Sequence, residues 1–396
     1  MRYDGTRREV LETFLKLGLT AFGGPIAHIG YFHREIVERR NWLSEAAYAE
    51  LVGLCQFLPG PTSSQAGFAL GLMRAGPIGG LAAWMAFTLP SALLMVLFAY
   101  AASGLSGPIG AGAIHGLKLV AVPVVAQAVI GMARTLTPDA TRAAIAIAAG
   151  LLILATGLPA MQLAVILFGA IAGLIFCRVP GAASDRPAGW IPSRRTGGIC
   201  FALFAVLLAA SLTFASSGGE PHLALAAIFY RAGALVFGGG HVVLPLLRAS
   251  MVPHWIDDRA FLAGYGFTQA MPGPLFTFSA YLGARVAGME GAAIALAAIF
   301  LPGLLLISGA LPLRHAVAGD LRVRRAISGV NAAVVGILAA ALYDPLWKTG
   351  VTSIFDAAIA LAGLALLLRW RLPPLFVVIF TTLASIGIAL TGAATT

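Results

Sequence analysis

The sequence predicts an all-α polytopic membrane protein made of two inverted homologous repeats, with Pro-Gly-Pro-broken or re-entrant helices and a linking transmembrane helix between the repeats. Three observations predict it. The 396 residues are 59% hydrophobic and only 11% charged, with a mean hydropathy of +0.90, far outside the range of a water-soluble domain. Apolar runs of about 20 residues, enough to cross a roughly 30 Å hydrocarbon core, recur along nearly the whole chain. The second half also repeats the first.

In that repeat FLKLGLTAFGG (Phe14 to Gly24) lies over FYRAGALVFGG (Phe229 to Gly239) at an offset of 215, from 229 − 14. Lys16 falls on Arg231, Gly18 on Gly233 and Phe22 on Phe237. After a slip of two the offset is 213, placing His28 on His241, Trp42 on Trp255, Gln56 on Gln269 and Pro59-Gly60-Pro61 on Pro272-Gly273-Pro274. At 212, Gly71 meets Gly283, Gly76 meets Gly288 and Pro90 meets Pro302. The chain therefore divides into a first repeat at 1–178, a basic loop with a linking helix at 179–222, and a second repeat at 223–396.

Each element follows in order. Val10 to Tyr31 and Ala46 to Met73, with partners at Leu223 to Leu247 and Ala260 to Ala284, are apolar but have positive charge at both ends: Arg8 precedes them, Arg34, Arg39 and Arg40 separate them and Arg74 follows. Re-entrant or broken hairpins fit this better than two full crossings, because irregular backbone is tolerated at membrane depth where protein or a cavity surrounds it. The span at about Pro77 to Ala102 then runs into the uncharged SGLSGPIGAGAI, whereas its partner at Gly291 to Leu311 runs into RHAVAGDLRVRR, with Arg314, Arg322, Arg324 and Arg325 against Asp320. Positive loops face the cytoplasm. Matched spans thus point in opposite directions, the inverted arrangement of many secondary transporters, whose sites lie between the repeats near the midplane. Spans at about His115 to Ala133, Ala143 to Gly157 and Ala160 to Cys177 complete the first repeat. The loop from Arg178 to Arg195 holds four arginines and one aspartate, so it is cytoplasmic, and an odd crossing at Gly198 to Ala215 supplies the inversion. Ala326 to Tyr343, Thr352 to Leu368 and Pro374 to Thr391 complete the second repeat.

Some function classes are disfavoured. The net charge of +10 suits nucleic acid in principle, but its arginines lie in short loops as orientation requires, so no nucleic-acid partner is expected. The N-terminal MRYDGTRREVLETFLKLG lacks the uninterrupted apolar core of a signal peptide and is read as mature protein on the cytoplasmic side. Cys55, Cys177 and Cys200 have no metal-like spacing and are read as packing residues. With no Ser/His/Asp set, phosphate loop or paired intramembrane carboxylates, the chain is read as neither an enzyme nor a cation pump, and no cofactor or metal is expected.

The breaks carry the chemistry. Proline ends one half-helix and lets another begin, and a half-helix N-terminus offers unpaired N–H groups and partial positive charge suited to an oxyanion. Around Gly60 and Gly273 the candidate ligands are Thr62, Ser63, Ser64, Thr277 and Ser279 through hydroxyls, and Gln56 and Gln269 through amides. A kink is the plainer reading of one Pro-Gly-Pro; two matched copies with the same glutamine favour the site. Gly23, Gly24, Gly238 and Gly239 permit close backbone approach to a ligand or equally to a helix, while the GxxxG at Gly67 and Gly71 reads as packing. Lys16 and Arg231 either neutralise a bound anion or snorkel to the headgroups. His28 and His241 are donors, proton-coupling groups or polar packing residues.

FLKLGLTAFGGPIAHIGYFHREIVERRNWL, the QFLPGPTSSQ block and their counterparts FGGGHVVLPLL and QAMPGPLFTFSAYLG closely resemble the chromate ion transporter family in its long, two-domain form. The resemblance is strongest over Val10 to Leu105 and Leu223 to Pro312, with FGGG in the second repeat where the pattern has FGGP. It implies a bacterial or archaeal inner-membrane protein that moves chromate, commonly as efflux giving resistance, with sulfate as a competing mimic. The expected partners are the oxyanion, the bilayer and protons as coupling ion, and a homodimer is compatible with the reading. An alternating-access carrier is favoured, with an anion channel or a carrier of sulfate or another oxyanion as the alternative.

Overall fold

The computed structural model describes residues 5–22, 24–102, 107–156, 161–178, 191–214, 221–237, 240–313 and 320–391. Among them the regular structure is helical throughout. The first repeat comprises α1 (Arg7–Thr20), α2 (Gly24–Phe32), α3 (Glu45–Phe57), α4 (Thr62–Ala101), α5 (Gly107–Leu119), α6 (Ala121–Leu136), α7 (Ala140–Thr156) and α8 (Met161–Phe176). The linking helix is α9 (Arg194–Phe214). The second repeat comprises α10 (Pro221–Leu235), α11 (Val243–Met251), α12 (Asp258–Thr268), α13 (Phe278–Ala310), α14 (Leu321–Ala341), α15 (Ile354–Leu368) and α16 (Pro374–Thr391). Among the described residues, six helical stretches are long and apolar enough to cross a membrane, including Thr62–Ala101, Arg194–Thr213 and Pro374–Thr391.

Local sequence sets the helix ends in the same way in both halves. Ser44 caps α3 by accepting from the Ala47 N–H, and Asp257, its match 213 residues later, caps α12 by accepting from the Ala260 N–H. Pro61 and Pro274 stand where the helices restart. The long helix α4 turns back on itself at Ala75 and Gly76, where Gly76 has φ +70°, and α13 does the same at Ala287 and Gly288, where φ is +61°. Only glycine takes that conformation without strain. The two arms of each then pack closely: a Cβ on Gly71 would lie 2.6 Å from that of Ala83, and one on Gly283 2.8 Å from that of Ala295.

The expected re-entrant hairpins are present in the first repeat. Glu9 at the start of α1 is within 3.3 Å of Arg74 at the end of the first arm of α4, and within 3.1 Å of the Trp42 indole N–H and 3.6 Å of Arg40 between α2 and α3. Two excursions into the protein thus begin and end together at one mouth. At 14 residues, α1 is about 21 Å long, too short to cross the roughly 30 Å core.

Beyond the hairpins the equivalence continues at 213, with Ala113-Ile114-His115-Gly116 over Ala326-Ile327-Ser328-Gly329. The contacts are exchanged between halves: Gly116 packs on Thr382 and its match Gly329 on Gly169, the match of Thr382. Gly150 packs on Gly336, and their matches Gly363 and Pro123 on each other. Such reciprocal pairing is the signature of a two-fold relation, and the opposite loop charges of matched spans put its axis in the membrane plane. The halves are therefore interleaved into two bodies: α1–α4 with α9–α13, and α5–α8 with α14–α16.

Candidate functional site

The two Pro-Gly-Pro breaks meet the two Phe-Gly-Gly breaks crosswise at the centre of the first body. The Gly60 N–H donates to the Val236 carbonyl at 2.7 Å, and the Gly273 N–H donates to the Ala21 carbonyl at 2.9 Å. Ala21 and Val236 are repeat partners, so one hydrogen bond is the image of the other. Both glycines have positive φ, +123° and +91°. Each also sits on the long helix of the opposite repeat: a Cβ would lie 3.0 Å from Gly303 Cα at Gly60 and 2.7 Å from Ser91 Oγ at Gly273. Ser91 and Gly303 are partners too, each following the proline of its helix. The breaks join the repeats as well as interrupting the helices.

The other sequence-derived candidates fall into three groups. Close to the crossing, buried His28 places Nε2 3.2 Å from the Ala21 carbonyl and Nδ1 3.3 Å from Ser63 Oγ, with its ring edge-on to Phe87. His241 Nδ1 is 2.6 Å from the Tyr265 hydroxyl. The Thr277 hydroxyl donates to the Pro274 carbonyl at 2.8 Å. The hydroxyls of Ser64 and Ser279 and the amide nitrogen of Gln269 are buried with no hydrogen-bond partner among the described residues; Thr62 opens α4 half-buried beside them. Gly24, φ +78°, has only the Leu275 side chain near a would-be Cβ, so its conformation is what requires glycine.

The cations form the second group, Lys16 near the mouth of the first-repeat hairpins and Arg231 at the matched position of the second repeat. Lys16 Nζ lies 3.0 Å from Glu35, whose carboxylate also holds Arg39 at 2.8 Å and Arg40 at 3.0 Å. Arg231 donates to the Ser250 hydroxyl at 3.4 Å. The remaining candidates, Gly23, Gly238 and Gly239, lie outside the described residues.

Gln56 stands apart from its partner Gln269. It is exposed, and together with Gly53 on α3 it lines a cleft of about 200 Å³ completed by Thr135, Leu136, Arg142, Arg324, Ile327, Ser328 and Asn331. Gly53 has nothing within 4 Å of a would-be Cβ. At the matched place in the second repeat, Gly266 on α12 is pressed against Leu117 on α5, its would-be Cβ 2.6 Å from the Leu117 carbonyl carbon, and Gln269 is buried. The interface α12–α5 is sealed; its image, α3–α14, is open. A recess of about 380 Å³ at the N-terminal ends of α5 and α12, lined by Asp257, Arg259, Tyr281 and Arg285, stops above the seal. Core packing has the same asymmetry. The apolar cluster of α1–α4 takes in no residue of the second body among those described, whereas that of α10–α13 runs on into α5, α6 and α14.

Several residues of this architecture escaped the sequence reading. Gln65 is fully buried and donates to the Pro59 carbonyl at 2.9 Å and the Gly303 carbonyl at 3.2 Å, tying the break to the other repeat; its place in PGPTSSQ was the available signal. Glu35 lies among Arg34, Arg39 and Arg40 and had no part in the sequence argument. Arg324 and Asn331 looked like orientation and a span interior, and only the fold brings them to Gln56.

The chain matches the family model described as "Chromate transporter" twice, over residues 8–174 and 223–388. It is 29% identical to the "Probable chromate transport protein" of Synechococcus elongatus, over 94% of this chain and 93% of that protein. It is 30% identical to the "Chromate transport protein" of Cupriavidus metallidurans, over 92% of this chain and 89% of that one. An uncharacterised transporter of Bacillus subtilis, YwrB, is 36% identical over 37% of this chain and 79% of its own length, about one repeat. No solved structure matches the chain. Two family matches, one on each of the two halves that cross at the breaks, make the chain a member of the chromate transporter family.

Proposed function

We propose that this protein carries chromate across a prokaryotic inner membrane by a secondary, alternating-access mechanism, in the direction of efflux, with protons as the coupling ion and sulfate as a competing tetrahedral dianion. The N-terminus and the mouth of the α3–α14 cleft then lie on the cytoplasmic side, where the Arg324 segment belongs by its charge. One observation carries the mechanistic part: Gly53 faces open space while its image Gly266 is packed against Leu117. In an inverted-repeat carrier the two access routes are images of each other, and a single state has one open and one closed. Exchanging the two conformations closes α3 on α14, with Gly53 on Val330, the match of Leu117, and opens α12 from α5. The ion would be handed past the crossed breaks, where the buried hydroxyls of Ser64 and Ser279 and the Gln269 amide nitrogen have no partner among the described residues.

The substrate and the carrier class are tested together by reconstituting the protein in liposomes and measuring labelled chromate uptake under an imposed pH gradient. Saturable uptake that follows the gradient and is inhibited by sulfate supports the reading. Flux that rises linearly with chromate and ignores the gradient would make the protein a channel. No chromate flux in folded protein would remove chromate as substrate.

A further inference from the structure

The α3–α14 cleft contains a set of donors that the transport reading does not by itself require. We infer that it is an intake site for a tetrahedral dianion, with Arg324 as its principal cation and Gln56, Ser328 and Asn331 as neutral partners; this rests on the oxyanion-transport reading and adds the residues that first hold the ion.

The composition of the cleft points to an anion. Arg324 and Arg142 line it and no carboxylate does. Arg142 is partly occupied: it donates to Asp139 at 2.7 Å and to the Ser328 hydroxyl at 3.4 Å. Asp139 lies in the α6–α7 loop, and hydrogen bonds from the Arg142 amide and guanidinium hold its carboxyl below the usual carboxylate range, so that pairing persists at neutral pH. The Arg324 guanidinium has no partner among the described residues, while its backbone N–H donates to the Asp320 carbonyl. Asn331 is half-buried, and its Oδ1 is buried with no hydrogen-bond partner among the described residues. An unpaired cation beside the amide N–H groups of Gln56 and Asn331 and the Ser328 hydroxyl is an environment that a multiply charged oxyanion, which only accepts, completes, while the buried Asn331 Oδ1, itself an acceptor, is left to the ion's retained water. The volume, about 200 Å³, is several times the roughly 30 Å³ share of one liquid water, so an ion can enter with part of its hydration.

The sealed image of the cleft makes the same point. At the matched positions stand Ala111 for Arg324, His115 for Ser328 and Lys118 for Asn331. The open cleft has Arg324 and Arg142 where its image has Ala111 and Phe355, and the closed interface has Lys118 where the cleft has Asn331. A dianion leaving Arg324 meets a second cation once the far side opens. Both clefts also keep the glutamine, Gln56 or Gln269, one turn before the break.

The test is chromate uptake by proteoliposomes carrying wild-type protein, Arg324→Gln, Arg324→Lys, Gln56→Ala and, as a control for loss of one positive charge elsewhere, Arg369→Gln on the exposed α15–α16 turn. Loss of a charge-assisted partner should raise KM about tenfold or more in Arg324→Gln with little change in kcat. Arg324→Lys should recover part of it, and Arg369→Gln should match wild type. Gln56→Ala changes an exposed side chain and should raise KM by a smaller factor, which keeps the test alive if Arg324→Gln does not fold. Wild-type flux with KM unchanged in both Arg324→Gln and Gln56→Ala overturns the intake site and leaves the transport reading standing. A fall in kcat alone would move Arg324 to the gate and also overturn the site. Absence of chromate flux in wild-type protein would instead strike the reading on which the site rests.

Discussion

Gly53→Ala separates a carrier with image-related gates from a protein whose α3–α14 cleft is merely a surface feature. In the observed state the substitution has room, since nothing lies within 4 Å of the added Cβ, and alanine in place of a helical glycine favours folding by roughly 0.5–1 kcal/mol. In the exchanged state Gly53 takes the place that Gly266 holds now. There a Cβ falls 2.6 Å from a backbone carbonyl carbon, against the 3.4 Å of ordinary contact, so the helices must separate by at least 0.8 Å (3.4 − 2.6). A backbone carbonyl cannot rotate out of the way as a side chain can. Overpacking of this kind costs about 1–3 kcal/mol, which depletes the exchanged state roughly fivefold to hundredfold. The expectation is a variant as thermostable as wild type or slightly more so, with chromate flux in proteoliposomes reduced by about that factor. A Gly53→Ala protein that folds and transports at the wild-type rate would refute the image-gate argument, whatever its substrate.

Further outcomes follow from the geometry. Gly60→Ala and Gly273→Ala each put a Cβ on positive-φ backbone and against the opposite repeat, so thermal unfolding in detergent should show losses of about 1–3 kcal/mol, larger than for Gly53→Ala. A Gly53→Cys, Val330→Cys pair should cross-link only as the protein turns over; rapid cross-linking of the resting protein would mean that the cleft is already closed. Glu35→Gln leaves Lys16, Arg39 and Arg40 without their shared, largely buried carboxylate and should destabilise more than Lys16→Ala. Lys16→Ala should lower thermal stability slightly and leave the KM for chromate unchanged, whereas a raised KM would return Lys16 to the substrate path. Gln65→Leu removes the amide N–H groups that the Pro59 and Gly303 carbonyls accept at the inter-repeat contact and should cost about 1–3 kcal/mol, again read by thermal unfolding.

The fold was legible because a membrane narrows the choices: apolar length gives spans, arginines give sides, and an internal match gives the symmetry. Even the hairpins could be read, since Arg8, Arg40 and Arg74 had to stay on one side. The site was legible in position and less so in detail. Gly60 and Gly273 stand out in the sequence, yet their N–H groups are bonded to Val236 and Ala21, residues some 176 and 252 positions away (236 − 60 and 273 − 21). No local pattern announces such a partner. Lys16 posed the same difficulty, because its companion Glu35 is 19 residues on, across a return of the chain that charge alone does not register. Gln56 and Gln269 are indistinguishable in sequence, and only packing makes one exposed and the other buried.

The reciprocal contacts of the interleaved repeats also set a schedule. Gly116 on α5 rests on Thr382 of α16, which is 266 residues later in the chain (382 − 116). At about 5–20 residues per second of synthesis, the face of α5 around Gly116 waits roughly 13–53 seconds for its neighbour. During that interval the surface must be covered by lipid or by a helper at the insertion site. A ribosome that stops after the first repeat therefore releases α5–α8 without the second-repeat helices they pack on, and quality control should clear that product rapidly.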